Sequence, residues 1–102
     1  MTKEVDKEIR LIAKLILERL DNMDKWGGAH SEFARVKKSL PSYITDTSKG
    51  KKQINKVIKL LVNSGFLLIK LSTGEPHVSL NPRKKKEICE FIEKNEKTEY
   101  KI

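Results

Sequence analysis

The amino-acid sequence predicts one small α+β domain over residues 1–102, mainly helical with a single short hairpin, in the order helix, helix, helix, strand, strand, helix. Three observations carry this. At 102 residues and 37% hydrophobic content, the chain can build one core without disulfides or metals. Its apolar residues recur at spacings of three and four in several segments, the period of a half-buried helix. Between two such segments lies FLLIKLSTGEPHVSL, two strand-like runs around a turn containing Gly and Pro.

The first helix is expected over residues 5–24, where Val5, Ile9, Ile12, Ile16, Leu20 and Met23 share one face. Gly27 and Gly28 break the period, with Trp26 expected as a lid on the core. Ser31 can cap a second helix over 31–40, whose inner side is Phe33, Val36 and Leu40 and which Pro41 ends. The connection PSYITDTS reads as polar, anchored by Tyr43 and Ile44, with Thr47, Ser48 or Gly50 as cap of the next helix.

That third helix, 48–64, turns Ile54, Val57, Ile58 and Leu61 inward and stops at Asn63, Ser64 and Gly65. The hairpin covers 66–80. Asn81 followed by Pro82 starts a last helix over 82–95, with Ile88, Phe91 and Ile92 on its buried side. Cys89 is the sole cysteine, so no intrachain disulfide can form, and it reads as a small buried apolar residue.

The net charge of +8 is unevenly spread. Residues 1–30 balance six cations with six acids, and residues 87–102 carry −2; residues 31–86 hold thirteen Lys/Arg against Glu32, Asp46 and Glu75. Within them the span from Lys49 to Lys70 contains no acid, whereas solvated helix faces normally mix signs. Opposite the apolar face of the third helix lie Lys52, Lys56, Lys59 and Asn63, flanked by Lys49 and Asn55. Lysines at a helix start oppose the helix dipole. The last helix repeats the pattern with Arg83, Lys84, Lys85 and Lys86, so a polyanion that both helix starts bind is expected, with amides of Gln53 and Asn55 able to read adenine edges.

Enzyme chemistry is not expected. His30 and His77 lie far apart in the sequence with no Cys or carboxylate at metal-ligand spacing, and each reads as a surface or satisfied histidine. SKGKKQ lacks the spacing of an NTPase phosphate loop, and no dinucleotide fingerprint occurs. No cofactor, metal or small-molecule ligand is expected. With no apolar run of membrane-spanning length and no signal-peptide order at MTKEVDKEIR, the expected location is the cytoplasm.

Three helices, the third basic, followed by LVNSGFLLIKLSTGEPHVSLNP, resemble the winged-helix variant of the helix-turn-helix family over roughly residues 9–93. The resemblance implies duplex DNA as partner, with the third helix in the major groove and the hairpin as a wing on the backbone or minor groove. Lys49, Lys52, Gln53, Asn55, Lys56 and Lys59 would then face the groove. Ser72, Thr73 and Gly74 would form the wing tip with Lys70 and His77 beside it, while Arg35, Lys37 and Lys38 would hold phosphates from the second helix and Arg83, Lys84 and Lys85 from the last. The long connection between helices two and three and the short wing, with Glu75 and no arginine, depart from the family pattern.

Leu11 and Leu15 form a second apolar stripe on the first helix. Either the last helix, Tyr100 or Ile102 covers it within one chain, or a second copy does. Many winged-helix regulators dimerise through their end helices, so the resemblance implies a homodimeric transcriptional regulator with Leu11, Leu15, Phe91, Ile92 and Tyr100 at the interface. Two rivals remain. A protein-interaction module would expose an apolar patch on the wing or third helix, a surface that reads as lysine. An RNA or single-strand binder would need exposed aromatics, for which Tyr43 is the candidate.

Overall fold

The computed structural model describes the backbone of residues 3–72 and 74–99 and the side chains of residues 7–72 and 74–94. Among the described residues it is α+β: five α-helices and a three-stranded antiparallel sheet. The elements are α1 (Lys3–Asn22), β1 (Ser31–Glu32), α2 (Phe33–Lys38), α3 (Ser42–Thr45), α4 (Ser48–Asn63), β2 (Leu67–Ser72), β3 (Glu75–Leu80), a 3-10 turn (Pro82–Lys84) and α5 (Lys85–Glu99). No described helix is long and apolar enough to cross a membrane.

One core joins all the layers. Ile12, Ile16, Leu17 and Leu20 of α1 meet Ile54, Val57, Ile58 and Leu61 of α4, and Val36, Leu40, Ile44, Leu67, Val78, Leu80 and Ile88 complete it. The three- and four-residue spacing on α1 and α4 is what turns these side chains to a common side.

Local signals fix most boundaries. Thr47 caps α4, its Oγ1 accepting the Gly50 N–H at 2.9 Å. At the other end the Phe66 N–H donates to the Leu61 carbonyl and the Gly65 N–H to the Val62 carbonyl, with Gly65 at φ 82°. That pairing is a Schellman stop, which needs a left-handed residue and so favours glycine. Asn81 caps the Pro82 turn through the Arg83 N–H at 3.1 Å; the first turn is 3-10, and the helix beyond it runs to Glu99 rather than to residue 95.

Several expectations need correction. Ser31 does not cap α2. It lies in β1, buried and paired with Val78, and the helix begins after Glu32 without a side-chain cap. Pairing with β3 satisfies the Ser31–Glu32 backbone, an arrangement that requires a strand almost fifty residues away. The 41–48 connection contains a short helix, α3, which buries Ile44 as expected but turns Tyr43 outward at 66% exposure, so Tyr43 is not an anchor. Cys89 is half-buried rather than buried. Gly50 is no cap; it lies within α4, buried against α3.

The sheet order is β1-β3-β2, which leaves β2 at an edge. Its Leu67 and Ile69 pair with Leu80 and Val78, so Leu67, Ile69 and Leu71 share the core-side face. Only Leu67 reaches the core; Ile69 is 49% and Leu71 73% exposed, because the hairpin runs on past the helices beneath it.

Candidate nucleic-acid interface

The outer face of α4 forms because its inner face is committed to the core. With Ile54, Val57, Ile58 and Leu61 buried, the helical period leaves Lys51, Lys52, Asn55, Lys56, Lys59 and Asn63 exposed. No acid interrupts this face. Lys51, exposed beside these residues, was not among the sequence candidates; its place in the acid-free lysine run of the same helix was the available signal.

Two expected members of the face are held elsewhere. Glu8 of α1 accepts a hydrogen bond from Gln53 Nε2 at 2.6 Å, and its carboxylate lies 3.7 Å from Lys49 Nζ. Gln53 therefore points to α1 and not outward, and Lys49 is partly neutralised. Residues separated by forty-five positions carry no sequence signal of such a contact. Glu8, Gln53 and Lys49 line a cleft of about 300 Å³ together with Leu11, Ile44 and Tyr43.

On α2, Arg35 and Lys38 are exposed, while Lys37 is half-buried with its ammonium 4.7 Å from the Phe33 ring centroid. The basic start of α5 does not join that of α4. Asn81 Nδ2 donates to the Gly65 carbonyl at 2.8 Å, which seats Pro82–Lys84 at the C-terminal end of α4. A sixteen-residue helix separates the two basic clusters, about 24 Å. The negative end of the α4 dipole lies nearest Lys84, so α5's cations oppose one dipole and complement another. Lys84 also pairs with Glu87 at 3.7 Å, and Lys85 sits 5.6 Å from the Trp26 ring centroid; Arg83 is exposed. A single small anion cannot bridge both starts, whereas a polymer of phosphates can.

Across the sheet, Lys70 pairs in register with His77. The structure brings His30 against His77, Nδ1 to Nδ1 at 2.8 Å with the rings nearly perpendicular. One ring's Nδ1–H donates to the other's Nδ1, so each histidine is satisfied by its partner. Burial, then His77, Lys70 and Lys25, hold the His30 pKa below its usual 6.5. The unfolded chain therefore takes up this proton first on acidification. The contribution to stability is complete above 6.5 and is lost as pH falls below it. Thermal melts are expected to shift downward on acidification through this range, and His30→Gln to flatten that part of the profile; an unchanged profile in the variant would remove the pair as its cause.

Ser72 is half-buried and Gly74, at φ 82°, is exposed in the hairpin turn; Thr73 lies outside the described residues. Among the described residues no group of three or more His, Cys, Asp or Glu is placed to hold a metal. Leu15, Phe91 and Ile92 are half-buried against the core of their own chain, Leu11 lines the cleft, and Tyr100 lies outside the described residues.

Comparison of the chain with protein-family models, curated proteins and solved structures finds no significant match.

The geometry also leaves several apolar side chains exposed. Leu68, Ile69 and Leu71 of β2 and Leu60 of α4 are exposed at 41%, 49%, 73% and 47%. The expectation that hairpin and third helix offer only lysine is thus incorrect. The run LLIKL reads as a strand, and composition does not reveal where a sheet outgrows its core.

Proposed function

We propose that this chain is a small winged helix-turn-helix protein that binds duplex DNA, with α4 in the major groove and the β2–β3 hairpin as the wing, and that it serves as a transcriptional regulator. The observation that carries the reading is the acid-free outer face of α4, where Lys52, Asn55, Lys56 and Lys59 are exposed while the opposite face is locked into the core. Such a helix presents cations to phosphates and an amide to base edges without unfolding anything. Arg35, Lys38 and Lys70 are further exposed cations, and the α5 cluster suits a polymeric anion.

The test is fluorescence anisotropy of a labelled duplex at about 50 and about 200 mM salt, with a single-stranded competitor. If about six phosphates are neutralised, the logarithm of affinity falls against that of salt with a slope near −5. No binding at the lower salt overturns the reading. Preferred competition by single strands would instead point to base stacking, for which exposed Tyr43 is the candidate aromatic.

A second reading, a protein-interaction module, is favoured by the exposed Leu68, Ile69 and Leu71. It uses the hairpin rather than α4, so the two surfaces can be mutated separately.

A further inference from the structure

The geometry points to a homodimer formed by pairing β2 with β2 of a second copy of this chain, which joins the two sheets across a two-fold axis. The backbone makes the first part of the argument. The Asn81 N–H donates to the Phe66 carbonyl at 3.0 Å, one position beyond the Leu67–Leu80 pair. Bonded pairs alternate in an antiparallel ladder, so Phe66, Leu68, Lys70 and Ser72 direct their backbone groups toward β3. Leu67, Ile69 and Leu71 direct theirs outward. The same alternation is visible on the far side of β3, where the Leu80 N–H donates to the Lys25 carbonyl and the Leu80 carbonyl accepts from the Gly27 N–H. As β2 is the edge, its outward groups are a template for another strand.

Side chains then select the partner and the register. A two-fold axis perpendicular to the sheet keeps each face on its own side, so only residues of equal parity can pair. Centred on Ile69, the register sets Ile69 opposite Ile69 and Leu67 opposite Leu71, and all three outward residues fall in bonded pairs. On the other face Lys70 meets Leu68. A register centred on Lys70 would oppose two lysines and lose outward pairs. The single charge of β2 thus falls opposite an aliphatic side chain in the register that also bonds best, and the strand is complementary to itself. Its exposed Leu68, Ile69 and Leu71 are the side chains such a dimer would cover.

Six residues a side is less than a standard interface offers, and each chain carries +8. The dimer is therefore weak, and salt strengthens it by screening, the opposite of the salt dependence of duplex binding. Sedimentation velocity of the full chain without DNA, from micromolar to near-millimolar concentration at low and high salt, measures it independently of the duplex reading. A concentration-dependent dimer that grows with salt is expected. Ile69→Lys should leave monomer only, with circular dichroism confirming that this half-exposed position tolerates the change. Leu68→Glu should tighten the dimer about fivefold, because the register creates two symmetric Glu–Lys pairs. A monomer at every concentration, or a dimer indifferent to both substitutions, overturns the proposal.

Discussion

Gly50→Ala is expected to lower the melting temperature by on the order of 10–20 °C, although alanine is the better helix former by about 1 kcal/mol. Gly50 has ordinary helical geometry, so backbone strain is not the cause. A Cβ there would lie 1.8 Å from the Ile44 carbonyl oxygen, 2.7 Å from its carbon and 2.8 Å from Thr47 Oγ1. Backbone atoms cannot rotate aside as the end of a side chain can, so α3 must move off α4. That movement opens the packing around Ile44 and strains the cap from Thr47 to the Gly50 N–H. Overpacking costs about 1–3 kcal/mol and a lost cap about 1 more, together larger than the helix gain. Thermal melts by circular dichroism measure the balance. A melting temperature equal to or above that of the parent chain would mean that α3 and α4 do not approach this closely.

The triple variant Lys52→Glu, Lys56→Glu, Lys59→Glu is expected to remain folded and to lose more than about a hundredfold in duplex affinity at low salt. All three side chains are exposed on α4, away from Ile54, Val57, Ile58 and Leu61. Exposed substitutions of this kind change stability by roughly 0.5 kcal/mol or less each, and an acid near the α4 start is favoured by the helix dipole. Each lysine lost from a phosphate removes about one unit of the salt slope, so the remaining slope should be near −2. Reversal of charge on the same face adds repulsion to the loss. A folded variant with unchanged affinity would exclude α4 as the contact and move attention to the hairpin.

The two variants separate what was legible in the sequence from what was not. The lysine face of α4 could be read because core and outer positions alternate within one helix, and the period alone divides them. The same period placed Gln53 outward, and only the presence of Glu8 on α1 draws it aside. The role of Gly50 was hidden for a related reason: a glycine beside two cap candidates reads as part of the cap, whereas its burial comes from the carbonyl of Ile44 in a separate element. Leu68, Ile69 and Leu71 read in the sequence only as part of a strand, and their exposure follows from how far the hairpin projects.

The sequence by itself determined α1, α4, the hairpin and the last helix, the Asn81 cap, the Gly65 stop and the basic character of the α4 outer face, and it narrowed the α4 cap to Thr47, Ser48 or Gly50. Each of these is settled by interactions within a few residues: a side chain meeting a nearby backbone N–H, a glycine accepting a left-handed turn, an apolar period selecting a face. Tertiary structure alone decided that Ser31 joins a sheet, that His30 meets His77, that Glu8 takes Gln53 and Lys49, that Gly50 admits α3, and that β2 is left as an edge with apolar side chains in solvent. Those outcomes depend on which distant groups the packed core brings within reach, and no local pattern encodes that distance.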